Sequence, residues 1–182
     1  MRIALQLLRE HKLYQKLSKC DFYKDKIHYL GHIISDEGIY VDPENIEAIM
    51  NCPTPRNVTY VRSFMGLARY YRRFIEGFSK VVHSITSLQR KGMKFEWTPK
   101  CEGSFHQLKN LLTSAPILKI ANPKKDFVVC TDACSQGLGG VLTQDNHVVC
   151  YESRKLKDHE KNYATHDLEL VAIVHALKMW RN

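Results

Sequence analysis

Two acidic residues in the last third of the chain have the type and surroundings for phosphodiester chemistry. Asp132 follows residues 127–130 (Phe-Val-Val-Cys), an apolar and β-branched run that reads as a buried strand ending at Thr131-Asp132. Glu169 stands in a helical pattern. The positions three, four, seven and eleven after it hold Ala172, Ile173, Ala176 and Trp180, which predicts that Glu169 shares a face with apolar residues. A carboxylate on the sheet-facing side of a helix is costly unless it is paired or holds a cation. Two carboxylates brought together repel, and a divalent ion relieves that repulsion. Mg²⁺ suits a site built from few carboxylates, water and phosphate oxygens. Two such ions about 4 Å apart can clamp a phosphodiester for attack by activated water. The same residues also fit a plainer role, with Asp132 capping a turn and Glu169 at a helix edge in water.

The elements that must position this pair follow from turn residues. Gly137, Gly139 and Gly140 read as a turn cluster, Val141-Leu142 as a second strand, Asp145-Asn146 as another turn, and residues 148–151 as a third strand. The result is a three-stranded antiparallel meander with Asp132 at the end of a central strand. A helix follows, with Thr165 as N-cap and Asp167 in its first turn.

Upstream, Ile3, Leu5, Leu7 and Leu8 open a helix whose last turn carries Arg9 and Lys12. Residues 17–22 and 27–34 read as strands joined by a turn at 24–26. Residues 36–38 read as a turn and 39–41 as a short strand. Asp42-Pro43-Glu44 is a helix start, and Pro53 and Pro55 stiffen the connector after that helix. Asn57 can cap a helix running to about residue 75, with Val61, Phe64, Met65, Ala68, Tyr71 and Ile75 on its core face. On the other face Arg62, Arg69 and Arg73 form a stripe, and Gly66 between them permits close approach of a phosphate backbone. A solvated polar face is the alternative. Gly77 breaks the chain. Residues 78–88 read as one helix closing on Arg90, Lys91 and Gly92, and Thr98-Pro99 opens another helix that Pro116 follows.

Composition narrows the class. The 182 residues are 44% hydrophobic, as a globular chain requires, and the formal net charge of +8 favours a polyanionic partner. The six cysteines include no Cys-x-x-Cys pair and fit no zinc spacing, so packing thiols in a reducing intracellular compartment (cytoplasm or nucleus) are expected, without disulfides. No apolar stretch reaches membrane-spanning length and no signal-peptide pattern opens the chain, so no membrane partner is expected.

Several stretches in series then resemble one family. Thr131-Asp132-Ala133-Cys134-Ser135, the hairpin at 137–142, Ser153-Arg154-Lys155-Leu156, Glu160-Lys161-Asn162-Tyr163 and His166-Asp167-Leu168-Glu169-Leu170 resemble the start of a retroelement ribonuclease H. Tyr29-Leu30-Gly31-His32 and the 61–75 helix resemble the preceding parts of a gypsy-class LTR retrotransposon reverse transcriptase. The resemblance implies an α+β protein of several parts. Residues 1–53 would be the end of a palm with a primer-grip-like hairpin at Tyr29, Leu30, Gly31 and His32. Residues 54–121 would be a helical thumb or connection holding duplex through Arg62, Gly66, Arg69 and Arg73. Residues 122–182 would be the N-terminal part of a ribonuclease H-like domain, with Asp132 and Glu169 as catalytic ligands of Mg²⁺ or Mn²⁺. It implies an RNA–DNA hybrid or template–primer duplex as partner, and the rest of a Pol polyprotein. Cys134 stands where the family often has Ser. No Tyr-x-Asp-Asp polymerase motif occurs, and only two of the family's four ribonuclease H acids match, so the chain is expected to be an internal piece of Pol that binds nucleic acid with or without cutting it. A strand Asp before a Gly-rich hairpin also occurs in actin-like ATPases, but the Arg-rich helix and Tyr-Leu-Gly-His argue against that kinship.

Overall fold

The computed structural model describes residues 2–90 and 92–181. Lys91, part of the expected cationic helix end, lies outside them. The first helix, α1 (Arg2–Glu10), buries none of its residues. Residues 17–22 form no strand. They hold one 3₁₀ turn, Leu17–Lys19, and Leu17 is 76% exposed. Among the described residues no neighbouring strand takes its backbone hydrogen bonds, and β propensity alone does not hold a strand.

The run at 27–34 is two strands. β1 (Lys26–Tyr29) and β2 (His32–Ser35) pair antiparallel with Tyr29 opposite His32, and β3 (Ile39–Val41) adds to β2. Leu30 and Gly31 make the turn with φ of 47° and 71°. Left-handed geometry at both central residues matches the twist of a two-residue hairpin. At the next turn Gly38 has φ 142°, and a Cβ there would overlap the Leu118 carbonyl. That close approach lets Ile39 and Leu118 exchange backbone hydrogen bonds of 2.8 and 3.0 Å, which fastens the segment after the helices to this sheet.

Capping residues start the helices. The Asp42 carboxylate accepts from Glu44 N ahead of α2 (Pro43–Met50), and Asn57 accepts from Thr59 N and Tyr60 N ahead of α3 (Val58–Tyr70). α3 stops at Tyr70, and the chain continues as a 3₁₀ turn at Arg72–Phe74. The expected 78–88 helix is broken at Val82 into α4 (Phe78–Val81) and α5 (His83–Ser87). There the Thr86 and Ser87 hydroxyls donate to the carbonyls of Val82 and Ser84. Such local side-chain bonds compete with a regular helix. Thr98 caps α6 (Pro99–Thr113).

One core joins these elements. Val61, Phe64, Ala68, Tyr71 and Phe74 pack with Ile85, Phe105, Leu108 and Leu112, and Phe64 lies 4.6 Å from Phe105 between ring centroids. Val41 and Ile49 belong to the same core, so it runs through the connector at Pro53 and Pro55. The buried Lys109 donates to the carbonyls of Met50 and Cys52, satisfying the end of α2 with a cation.

The meander is present as β4 (Val128–Cys134), β5 (Gly137–Gln144) and β6 (His147–Arg154), in that order. Gly137, Gly139 and Gly140 lie inside β5; residues 135–136 make the turn. β4 is therefore an edge strand among the described residues, and Asp132 sits in its interior. Asp145 and Asn146, with φ of 51° and 61°, turn the chain into β6. The last helix, α7 (Thr165–Trp180), has Ala164 at its N-cap with no side-chain cap, and Thr165 is its first residue. Leu168 and Ala172 of α7 pack with Leu138, Leu156 and Ala133 in a second, smaller core.

A buried ion pair braces the entry to α7. Arg154 donates to both Glu160 oxygens at 2.7 and 2.8 Å, and Lys157 N adds a third hydrogen bond. The Arg154 guanidinium, helped by that amide, holds the Glu160 carboxyl at about 2, below its ordinary 4.5. A depressed carboxylate pKa gives stability that is complete above the unfolded value and lost as pH falls through the folded one. Glu160→Gln is expected to cost roughly 3 kcal/mol at pH 7. The gap from the parent chain should narrow between pH 4.5 and about 2. Urea midpoints at pH 7, 4 and 3 check this; a gap that does not change with pH contradicts it.

Candidate nucleic-acid interface

Two of the stretches singled out in the sequence meet. The Leu30-Gly31 turn rests on the C-terminal end of α3. The Tyr71 hydroxyl donates to Gly31 O at 2.9 Å, and the Tyr70 hydroxyl donates to Leu30 O. A Cβ on Gly31 would stand 3.0 Å from the Tyr71 hydroxyl and 3.1 Å from Asn45 Nδ2, so only glycine lets the turn sit this close. The His32 ring lies 5.1, 5.5 and 5.7 Å from those of Tyr70, Tyr71 and Phe74. Burial pushes the Tyr71 phenol up to about 12, so it stays a donor at any physiological pH. Gly31 and His32 thus face the helix, while Tyr29 and Leu30 are 60% and 69% exposed at the tip.

The arginines divide. Arg62 and Arg69 are exposed on α3, and Arg73 is exposed on the turn after it, because the helix ends sooner than its pattern suggests. Gly66, between them, is exposed with open space where a Cβ would stand. Arg72 turns the other way and reaches Glu152 of β6 at 3.5 Å; the same carboxylate lies 3.7 Å from His175 of α7. A cleft of about 420 Å³ joins the parts, with His32, Tyr70, Arg72 and Arg73 on one side and Tyr151 and Trp180 on the other. Arg72 and the Tyr70–Tyr71 pair are functional candidates that the spacing argument passed over. Their signal was the doubled Tyr and Arg at 70–73.

The two acids stand apart from this cleft and from the geometry expected of them. Asp132 alternates with Ala133, which packs toward α7, so its carboxylate lies on the opposite, exposed face of β4, beside Glu76, Gly77 and Tyr151. Glu169 is exposed. The buried stripe of α7 is Leu168, Ala172 and Ala176; Ala172 and Ala176 belong to the face expected to carry Glu169, but Leu168 takes the place of Glu169 on it, and Ile173 is 45% exposed. The helix packs through small alanines, which admit a close approach that large apolar residues do not. Among the described residues, no group of three or more His, Cys, Asp or Glu side chains is placed to hold a metal ion.

Comparison with known proteins decides the kinship. Residues 97–182 match the family described as an RNase H-like domain found in reverse transcriptase. The retrovirus-related Pol polyprotein from transposon 297 of Drosophila melanogaster is 38% identical over 184 residues, covering 100% of this chain and 17% of its own length. The one from transposon gypsy of the same fly is 38% identical over 191 residues, covering 98% of this chain and 18% of its own. This chain belongs to the gypsy-class retrotransposon Pol family. The Pol segment spans less than a fifth of the length of these curated relatives. Its fold is shared with the foamy viral protease-reverse transcriptase solved in complex with an RNA/DNA hybrid, at TM-score 0.82 and 21% identity over 96% of this chain and 25% of that one. The same viral protein in complex with dsDNA gives 0.79 and 22%, over 89% and 35%.

Gly66 offers a clean test of the exposed α3 face. Gly66→Ala is expected to raise stability by about 0.5–1 kcal/mol, since alanine is the better helix former and nothing obstructs its methyl group. If backbone approach at Gly66 serves nucleic acid, the same substitution weakens duplex binding while thermal unfolding moves up. Unchanged binding in the stabilised variant contradicts the role.

Proposed function

We propose that this Pol segment grips an RNA–DNA hybrid or template–primer duplex as part of a reverse transcriptase and ribonuclease H. The observation that carries this reading is the docking of the primer-grip-like turn, Tyr29 to His32, on the Arg-bearing end of α3. Phosphate contacts from Arg62, Arg69 and Arg73 would hold the duplex, and Gly66 would admit its backbone. The net charge of +8 supports a polyanionic partner. In the whole protein the implied activities are RNA-directed DNA synthesis and cleavage of the RNA strand of a hybrid, with the remainder of Pol as the partner in cis. A reducing intracellular setting, cytoplasm or nucleus, belongs to the same proposal, in keeping with six cysteines that include no Cys-x-x-Cys pair.

Divalent metal is general to this family. We assign Asp132 and Glu169 as carboxylates that would hold Mg²⁺ or Mn²⁺ in the whole enzyme. The two carboxylates alone do not fit a closed metal site: both are exposed, and no third ligand is grouped with them among the described residues. That observation favours a second reading for these 182 residues by themselves, a grip that binds hybrid and does not cut it.

Filter binding of a labelled RNA–DNA hybrid across a salt series, with a cleavage assay in Mg²⁺ or Mn²⁺, separates the readings. Replacing Arg62, Arg69 and Arg73 together by Ala is expected to weaken binding at least about tenfold and to lower the salt slope by about 0.9 for each phosphate no longer neutralised. A slope equal to that of the parent chain contradicts the grip. Cleavage that Asp132→Asn abolishes would support the catalytic assignment; binding without cleavage would support the second reading.

A further inference from the structure

A second cationic feature lies away from the Arg face of α3. The cleft between α4, α5 and α6 on one side and the 135–136 turn and the 155–161 segment on the other has a volume of about 630 Å³. Lys80, Arg90, Lys100, Lys155 and Lys161 line it, against one carboxylate, Asp158, which pairs with Lys161 at 2.6 Å. Ser84 and Ser104, joined by a 2.7 Å hydrogen bond, bring hydroxyls to the wall, and Lys155 donates to Thr86. Five cations from four separate segments are held together against their mutual repulsion. Burial, with Arg90 beside it, lowers the Lys155 ammonium, and burial with Lys155, Arg90 and Lys161 lowers the His83 imidazole on the same wall. A concave site lined by one sign of charge focuses the field within it and gathers counter-ions.

We propose that this cleft binds a small, multiply charged phosphate chain, free or carried on a nucleoside. Its size is that of a small-molecule site, which run from about 300 to 1,000 Å³. Within that volume a chain of phosphates can meet several cations at once. The Ser84 and Ser104 hydroxyls and the Arg90 fork give donors suited to phosphate oxygens. This inference stands apart from the duplex grip, because none of its cations belongs to the α3 face.

Calorimetric titration of the 182-residue chain with inorganic tripolyphosphate, and separately with a nucleoside triphosphate, tests it. The expected result is saturable one-to-one binding of tripolyphosphate that Arg90→Ala with Lys100→Ala weakens about tenfold through the removal of two nearby charges. Lys24→Ala with Lys178→Ala removes the same charge elsewhere and should leave binding as it is. All four positions are exposed, so folding is not at stake. Tighter binding of the nucleoside triphosphate would assign the nucleotide form, and equal binding the bare phosphate chain. Absence of saturable binding, equal weakening in both double variants, or displacement of tripolyphosphate by an RNA–DNA hybrid would overturn the proposal.

Discussion

Two tyrosine hydroxyls hold a two-residue turn against the end of a helix, and the arrangement of the candidate interface depends on that contact. Tyr71 is buried in the main core, with the Phe74 ring 6.3 Å from its own between centroids, so its position is set by core packing. Its hydroxyl is the one polar atom that must leave the core satisfied, and Gly31 O is where it does so. Gly31 has the conformation and lack of Cβ the contact needs, and Tyr70 repeats the contact at Leu30. The β1–β2 hairpin is thereby indexed to α3. Whatever the tip at Tyr29 and Leu30 touches is at a fixed offset from Arg69 and Arg73.

A second joint links the helical core to the later sheet. Glu152 of β6 faces Arg72 from one side and His175 of α7 from the other. Ser79 N donates to the Ser153 hydroxyl at 2.9 Å, and Gly137 leaves room for the Arg154 carbonyl of β6. These polar contacts leave clefts on either side, one carrying the aromatic and Arg-rich wall, the other the five cations. The distribution suits a protein whose units present charge jointly to a polyanion.

Much of this was legible in the sequence because it is governed by local rules. Helix caps at Asp42, Asn57 and Thr98 follow from side chains that accept the first free amides. The core face of α3 follows from 3.6-residue spacing. What misled were features settled by neighbours. Residues 17–22 have strand composition and no partner strand. Residues 27–34 have strand composition on both sides of Leu30-Gly31, and a left-handed pair there, held by the Tyr70 and Tyr71 hydroxyls, folds them in two. Two of the β5 glycines serve close approach and not a turn: a Cβ would stand 2.7 Å from the Arg154 carbonyl at Gly137 and 3.2 Å from the Trp180 ring at Gly140. The spacing of Glu169 picks out Ala172 and Ala176, which are buried, together with Ile173, which is exposed; Leu168, one residue earlier, completes the buried stripe and leaves Glu169 outside it. The five-cation cleft left no local trace, since residues 80, 90, 100, 155 and 161 converge only in the folded chain.

The central claim is that the hairpin tip and the α3 arginines engage nucleic acid as one unit. Amide hydrogen exchange of the 182-residue chain, followed during titration with an RNA–DNA hybrid, tests it most directly. The account predicts that amides at 29–32 and along the second half of α3 gain protection together, with the same midpoint in hybrid concentration. Protection that reaches one of these segments and leaves the other unchanged would contradict it.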